Sequence, residues 1–464
     1  MFIGRTNELN LLKEKYDNNS IELGIIYGQR RIGKTSIILE SVKKYDYIYF
    51  LSRDTSLQEN LNYFANVFKE KMNLQYDPFF KTFDELFDAL FKTIDSRTIV
   101  IIDELPFLAK VYPGIISILQ GVMDMAKQND VIRKIVLSGS DSSFMVDLLE
   151  NKAKPLYQRA TFKMHVMPML FSDAIKMLNG FSAVDKVKYL SIFGSRPYYL
   201  DKLAKNKGFE ENLLSLCFDN KSILIDAPNI TLPIGYSSNS TYISILIALS
   251  NRKHKIKEMA NYLNIDDKSL STFLSRMLDS ESIDKRDVFN GNRKSVYYEI
   301  SDPFIRFYYQ LIYPYLRDIE SGYGEEVFKN HLDKLFKIIE HGFEDVCNSY
   351  IHELSINKKL PYVYRDIKKY NADNSPIGRS IQIDGISESF DGKHLLVVEA
   401  KFRDKDISLE VLDRLKESVS IFKGYKSIDY YLISKKSFAD NIKNLNDRHV
   451  HLITLDIMTA LENF

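Results

Sequence analysis

Eight residues constrain this chain more than any others: Gly28-Gln29-Arg30-Arg31-Ile32-Gly33-Lys34-Thr35, a match to G-x-x-x-x-G-K-[ST]. They follow an apolar run, Glu22 to Gly28, that reads as a buried strand, and they open a helical pattern running from Lys34 to about Lys44. Strand, glycine-rich turn and helix in that order let consecutive backbone N–H groups surround a phosphate. Gly28 and Gly33 supply the backbone freedom, and the helix N-terminus adds partial positive charge. Lys34 is spaced to bridge β- and γ-phosphate oxygens, and the Thr35 hydroxyl suits a coordination position on Mg²⁺. The expected ligands are ATP and Mg²⁺, with the nucleotide lined by Gly28, Gln29, Arg30, Arg31, Ile32, Gly33, Lys34, Thr35 and Ser36.

A loop of this kind needs a parallel sheet to carry it, and the first half of the chain supplies the pattern. Strand signals at Tyr45–Leu51, Thr98–Asp103 (TIVIID) and Lys134–Ser138 alternate with helical stretches over Leu57–Thr93 and beyond. Strands separated by helices predict an α/β domain with right-handed crossovers. At 464 residues the chain has room for about three domains of ordinary size. Net charge is +1, so no global basic field favours nucleic acid, although a local patch can hide inside that average. Two cysteines, Cys217 and Cys347, exclude a disulfide scaffold or a four-cysteine zinc site and suit a reducing compartment. With no signal stretch and no long apolar run, the expectation is a cytoplasmic protein with no membrane partner.

The strand TIVIID ends in Asp103-Glu104. At this place a carboxylate such as Asp103 holds Mg²⁺ through water, and a neighbouring Glu such as Glu104 orients the attacking water. Hydrolysis, not binding alone, is therefore expected, with Lys34 and Glu104 as catalytic groups. Ser138-Gly139-Ser140 ends the next strand, where a hydroxyl could meet the γ-phosphate; a turn needing small polar residues explains it equally. Arg159 could serve as an arginine finger, in cis or from a neighbouring copy, and a plain surface arginine explains it as well.

Phe2-Ile3-Gly4-Arg5 with Glu8, GQRRIGKT, IVIIDELPFL, LSGSDSSFM and PLYQR together resemble the archaeal-type ATPases, relatives of the AAA+ and STAND ATPases. The resemblance covers roughly residues 1 to 230. It implies that Gly4-Arg5 opens the segment near the adenine, and that Gly194-Ser195-Arg196-Pro197 is a lid element placing Pro197 against the nucleotide. The family usually has a second glycine where this chain has Ser195.

Helical patterns at Tyr242–Ser250, Ile256–Leu263 and Lys268–Asp279, then two strand-like pieces around Asn290-Gly291-Asn292, follow the order of a winged helix. Ser269, Thr272, Ser275 and Arg276 on the third helix would face a groove. Arg252, Lys253, His254, Lys255 and Lys257 precede it, and Lys285, Arg286, Arg293 and Lys294 surround the wing. Contact with double-stranded DNA and simple packing between domains are both open.

Further on, Asp384 ends the strand SIQID, and Glu399-Ala400-Lys401 ends HLLVVEAKF. Residues two apart on a strand share a face, so Glu399 and Lys401 point together. Two carboxylates can hold Mg²⁺ while a lysine positions water. This spacing resembles the PD-(D/E)xK nuclease core, with Glu344, Asp384 and Glu399 as metal ligands and Glu399 and Lys401 as catalytic groups. Ile383 stands where the motif name has proline. Archaeal-type ATPases commonly carry such a C-terminal domain of unknown function.

The expected fold is therefore α/β: a P-loop domain over 1–165, a helical lid over 166–235, a winged helix over 236–325 and a nuclease-like α/β domain over 326–464. The first functional expectation is a Mg²⁺-dependent ATPase coupled to DNA binding or cleavage. A regulatory or scaffold ATPase, whose last domain is inactive and binds a protein partner or a second copy, is the alternative. A P-loop kinase is disfavoured by the Asp-Glu strand end.

Overall fold

The computed structural model describes residues 2–289, 296–372 and 378–463. It divides into two compact units, Met1–Met167 and Pro168–Phe464.

In the first unit, five strands form one parallel sheet: β1 (Glu22–Tyr27), β2 (Tyr47–Leu51), β3 (Ile99–Asp103), β4 (Lys134–Gly139) and β5 (Phe162–His165), in spatial order β2-β3-β4-β1-β5. Every residue of β1, β3 and β4 is buried, as strands covered on both faces must be. The helices of this unit are α1 (Thr6–Asp17), α2 (Lys34–Ser41), α3 (Leu57–Met72), α4 (Phe83–Thr93), α5 (Leu105–Val111), α6 (Ile115–Gln128) and α7 (Ser142–Glu150). They pack in two clusters. One surrounds Phe50, Phe64 and Phe87, and the other surrounds Ile26, Ile37 and Ile101. The sequence reading ran Leu57–Thr93 as helical throughout; the structure stops α3 at Asn73, in the left-handed conformation, and restarts at the Thr82 cap. β5 was not anticipated, because four residues with alternating burial make a weak signal.

The second unit begins with short helices α8 (Phe171–Met177), α9 (Ala183–Phe193), α10 (Pro197–Leu200), α11 (Phe209–Leu213) and α12 (Ala227–Thr231). Three helices follow, α13 (Ser240–Ser250), α14 (Ile256–Leu263) and α15 (Asp267–Asp279), and then an antiparallel pair, β6 (Ile283–Asp287) and β7 (Val296–Ile300). The expected hairpin turn Asn290-Gly291-Asn292, with Arg293 and Lys294, lies outside the described residues. Next come α16 (Pro303–Phe307), α17 (Leu316–Asp318), α18 (Gly324–Asn330) and the long α19 (Leu332–Ile356). The last sheet is mixed: β8 (Lys368–Ala372), β9 (Ile381–Glu388), β10 (His394–Lys401), β11 (Ser427–Ser434) and β12 (Val450–Thr454), in order β12-β11-β10-β9-β8. β8, β9 and β10 are antiparallel neighbours, whereas β10, β11 and β12 run parallel, with α20 (Leu409–Val419) in the first crossover. Among the described residues no single helix is long and apolar enough to cross a membrane.

The sequence pattern also predicts a hinge in the polar run Asp318–Gly324 and a long helix over Lys329–Leu354 interrupted at Gly342. Asp318–Gly324 lies in a helical stretch kinked at Gly322, whose φ is 93°, with Ile319 buried and Gly324 so close to the Phe218 carbonyl that a Cβ would stand 1.7 Å from its oxygen. Gly342 does not interrupt its helix. α19 passes straight through it, and a Cβ there would lie 2.3 Å from the Ser191 carbonyl oxygen of α9. The glycine is a contact point between two helices, not a break.

Gly342→Ala sets two effects against each other: alanine gains about 1 kcal/mol of helix propensity, while forcing atoms into a packed helix contact costs about 1–3 kcal/mol. Because the opposing atom is backbone, relief is limited, and a lower urea midpoint is expected. A raised midpoint would show that α9 and α19 do not touch at this point.

Candidate functional site

The turn after β1 takes its shape from three residues with positive φ: Gly28 at 147°, Arg31 at 62° and Gly33 at 100°. At Gly28 a side chain is excluded twice, since a Cβ would also sit 2.5 Å from the Val166 carbonyl oxygen. Ile32 anchors the loop from below in the apolar cluster against α2. Lys34 is buried and donates to the Gly28 and Gln29 carbonyls, at 2.9 Å each, so its ammonium is held over its own loop. Thr35 and Ser36 stay exposed on the first turn of α2.

The acidic strand meets this loop directly. Thr35 Oγ1 donates to Asp103 Oδ2 at 2.7 Å, and the Tyr49 hydroxyl donates to the same oxygen at 2.8 Å. Burial and the Asp103 carboxylate push the Tyr49 phenol well up, so it remains a donor. Asp103 Oδ1 accepts the Glu104 N–H at 3.0 Å. A hydroxyl and a carboxylate in contact are hard oxygen donors, and they fit Mg²⁺ completed by phosphate and water.

Glu104 has φ 52°, an uncommon left-handed residue at the start of α5. Its Oε2 accepts from the Ser140 N–H at 3.1 Å and hydroxyl at 2.8 Å. β4 lies between β1 and β3, which is why Ser138 and Ser140 stand between the loop and the acidic strand. Ser138 Oγ is buried with no hydrogen-bond partner in the structure.

Arg159 is placed elsewhere. Its guanidinium forks onto Asp124 at 3.1 and 3.2 Å and donates to the Pro155 carbonyl at 3.0 Å. It precedes β5, where Thr161 N–H bonds to Leu23 near the start of β1. The phosphate loop leaves the other end of that strand, about 16 Å away at 3.3 Å per residue. Arg159 is therefore not an arginine finger for the site of its own chain. In the Gly4-Arg5 segment, the Arg5 guanidinium donates to the Ile32 carbonyl at 3.1 Å and to Glu8 at 2.8 Å, which braces the loop. Tyr49 acts through a tertiary contact and gives no motif signal.

In the second unit, Gly194-Ser195-Arg196-Pro197 leads into α10, which Pro197 opens. Arg196 is buried against Asp302 at 3.0 Å, and the Tyr199 hydroxyl donates to the same carboxylate oxygen.

The C-terminal constellation is brought together in part. The antiparallel register pairs Gly385 with Val398 and so sets Asp384 opposite Glu399. Lys401 Nζ lies 2.6 Å from Glu399 Oε1 and 3.4 Å from Asp384 Oδ2, while Ala400 N–H donates to Asp384 at 2.9 Å. Asn348 of α19 donates to the Asp384 carbonyl at 2.8 Å, which presses the helix onto β9. Burial, reinforced by Asp384, raises Glu399 to about 7; burial also raises Asp384. Burial works against the Lys401 charge, but Asp384 and Glu399 outweigh it and raise the lysine to about 12.

Glu344, one turn before Asn348, is held by Lys369 at 2.9 Å and lies 3.4 Å from His341 Nδ1. Burial pushes its carboxyl up; His341 and Lys369 overcome that and hold it low. Among the described residues no group of three His, Cys, Asp or Glu side chains is arranged to hold a metal. The expected three-carboxylate set of Glu344, Asp384 and Glu399 thus reduces to the pair Asp384 and Glu399, because Lys369 occupies the third. Lys369 and its second partner Asp345, also at 2.9 Å, were not foreseen.

Residues 2–203 match the model of an ATPase domain predominantly from Archaea, and residues 308–414 match that of archaeal and bacterial proteins of unknown function. An uncharacterized protein of Methanocaldococcus jannaschii is 29% identical over 407 residues, covering 87% of this chain and 88% of that protein. An uncharacterized ATP-binding protein of the same organism is 47% identical over 38 residues, 8% of this chain and 64% of its own length. The solved Walker-type ATPase of Pyrococcus abyssi has a similar fold, with a TM-score of 0.50 at 17% identity, over 67% of this chain and 96% of that one.

The raised Glu399 has a thermodynamic signature. Its folded value, about 7, lies above the unfolded value near 4.5, so stability is full below pH 4.5 and falls as pH rises through 7. Glu399→Gln should therefore leave stability nearly unchanged at pH 4.5 and raise the unfolding free energy at pH 8, by an amount on the order of 2–3 kcal/mol, with Tm following. Equal Tm differences at both pH values would refute the buried, proton-binding carboxyl.

Proposed function

We propose that this chain, whose first 203 residues carry an archaeal-type ATPase domain, hydrolyses ATP with Mg²⁺ and couples nucleotide state to a DNA-acting C-terminal region. The observation that carries the first half is the Thr35–Asp103 hydrogen bond, which joins the phosphate loop to the acidic strand.

Thr35 and Asp103 would hold Mg²⁺, which neutralises phosphate charge when bound. The backbone N–H groups from Gly28 to Lys34 cradle the phosphates. Lys34 then exchanges the Gly28 and Gln29 carbonyls for phosphate oxygens, a replacement of neutral acceptors by anionic ones that favours the bound form. Glu104 lies one residue past the metal carboxylate and orients the attacking water once Ser140 releases it. Ser138, with an unused buried hydroxyl at the end of the central strand, is placed to donate to the transferred phosphoryl group.

For the second unit, the helices α13 to α15 and the pair β6–β7 follow winged-helix order. Lys268, Ser271, Thr272, Ser275 and Arg276 of α15 are exposed, a hydroxyl- and cation-bearing face suited to duplex DNA. Asp384, Glu399 and Lys401 have the arrangement of a PD-(D/E)xK centre. The two carboxylates would hold a divalent ion, and Lys401 would position water at the phosphodiester. A scaffold reading is favoured by one observation: Lys401 already neutralises both carboxylates, as a resting ion-pair cluster would.

Three substitutions separate these roles. Lys34→Ala abolishes ATP binding by calorimetry. Glu104→Gln keeps binding but lowers turnover at least ~100-fold; undiminished turnover would remove Glu104 from the mechanism. Lys401→Ala abolishes Mg²⁺- or Mn²⁺-dependent cleavage of duplex DNA with ATPase turnover intact. Should the unaltered protein cut no DNA, with or without ATP, the scaffold reading replaces the nuclease one.

A further inference from the structure

Most of the Asp103 carboxylate is already spoken for. The side chain is fully buried, so the protein and not bulk water decides what each lone pair meets. Oδ2 accepts from the Thr35 hydroxyl at 2.7 Å and from the Tyr49 hydroxyl at 2.8 Å, and Oδ1 accepts the Glu104 N–H at 3.0 Å. A carboxylate offers about four lone-pair sites. Among the described residues both sites on Oδ2 are therefore filled, and one remains on Oδ1.

The two hydroxyls on Oδ2 differ in kind. Thr35 spends its proton on Asp103 and keeps its oxygen lone pairs, and it is exposed on the first turn of α2. It can ligate a cation without giving up that bond. Tyr49 instead packs its ring against the apolar cluster of Ile37 and Ile101. The sheet fixes its place. β2 and β3 pair in parallel, with Tyr49 opposite Ile101 and Leu51 opposite Asp103, and alternate residues of a strand share a face. The ring thus stands on the neighbouring strand, on the same face as the carboxylate, and its hydroxyl reaches forward to Oδ2. An aromatic body seated on apolar side chains, with one polar tip, holds that tip in place.

We propose that Tyr49 is a positioning residue that sets which divalent cation the phosphate loop accepts: by occupying Asp103 Oδ2 it keeps that carboxylate from chelating the ion, and so selects Mg²⁺ over Ca²⁺. This inference rests on reading Thr35 and Asp103 as the metal side of an ATP site. The discrimination follows from how the two ions bind. Mg²⁺ keeps several waters in an octahedral shell, and a carboxylate met through one of those waters satisfies it. The remaining Oδ1 site serves that mode. Ca²⁺ is larger, takes about six to eight oxygens and readily uses both oxygens of one carboxylate. With Oδ2 filled by Tyr49, the two-oxygen mode is closed; removing the phenol oxygen returns a lone pair to Oδ2 and opens it. A hydroxyl that only satisfied a buried carboxylate would support both ions equally.

The test uses the full chain, Tyr49→Phe, Asp103→Asn and the double variant, with circular dichroism melting to establish folding. Tyr49→Phe keeps the packed ring and removes only the hydroxyl. Calorimetry gives the Kd of each protein for a non-hydrolysable ATP analogue in excess Mg²⁺, in excess Ca²⁺ and in EDTA. The unaltered protein should bind more tightly with Mg²⁺ than with Ca²⁺. In Tyr49→Phe that preference should shrink roughly five-fold, the scale of one hydrogen bond, chiefly through tighter binding with Ca²⁺. Asp103→Asn should lose the preference too, and adding Tyr49→Phe to it should change nothing more. An unchanged preference in folded Tyr49→Phe, even with both affinities lowered, overturns the selecting role and leaves Tyr49 a structural partner of Asp103. A further change in the double variant overturns action through Asp103. Equal affinity of the unaltered protein with Mg²⁺ and Ca²⁺, both above that in EDTA, overturns selection itself. Equal affinity in all three conditions refutes Thr35 and Asp103 as a metal site, and no analogue binding under any condition refutes the ATP reading.

Discussion

The all-parallel sheet of the first unit is the constraint from which its chemistry follows. Parallel strands bring their carboxyl ends to one edge, and each crossover must leave from that edge. Here the edge receives the phosphate loop from β1, Asp103 and Glu104 from β3, and Ser138 and Ser140 from β4. The order β2-β3-β4-β1-β5 inserts β4 between the two motif strands. That insertion gives Glu104 a neighbour, Ser140, that can hold its carboxylate at rest. The same rule removes Arg159, which enters β5 at the opposite edge.

How much of this was legible depended on whether a residue's role is local. The glycine spacing, Lys34, Thr35 and the Asp-Glu pair announce themselves, because backbone conformation and strand ends are written within a few residues. Tyr49 works across 54 positions of sequence and nothing in its neighbourhood marks it, while the motif around Arg5 does not announce its contact with Ile32, 27 positions away. Glycine misleads where its reason is a neighbour. Gly342 reads as a helix interruption but exists because Ser191 stands against it. Asp384, Glu399 and Lys401 were readable from strand alternation. Lys369 was not, since β8 is a weakly patterned edge strand with a register shift.

The second unit solves a different problem, that of keeping charges inside a packed body. Four carboxylates, Glu344, Asp345, Asp384 and Glu399, are distributed among three cations, Lys369, Arg306 and Lys401. Buried ion pairs seldom stabilise a fold beyond what apolar groups would, because desolvation offsets their attraction. Such a cluster is therefore weakly explained by stability, and its geometry better fits a centre that must present charge on demand. The raised Glu399 marks where the balance is incomplete.

The two sites then differ in what they await. In the phosphate loop the lysine rests on neutral carbonyls, which anionic phosphate oxygens would replace as better acceptors. The carboxylate pair has Lys401 between its members, and a divalent ion must displace or move that ammonium before both oxygens can turn to it. The first arrangement binds as soon as its ligand arrives. The second needs that ammonium to move before a cation can enter.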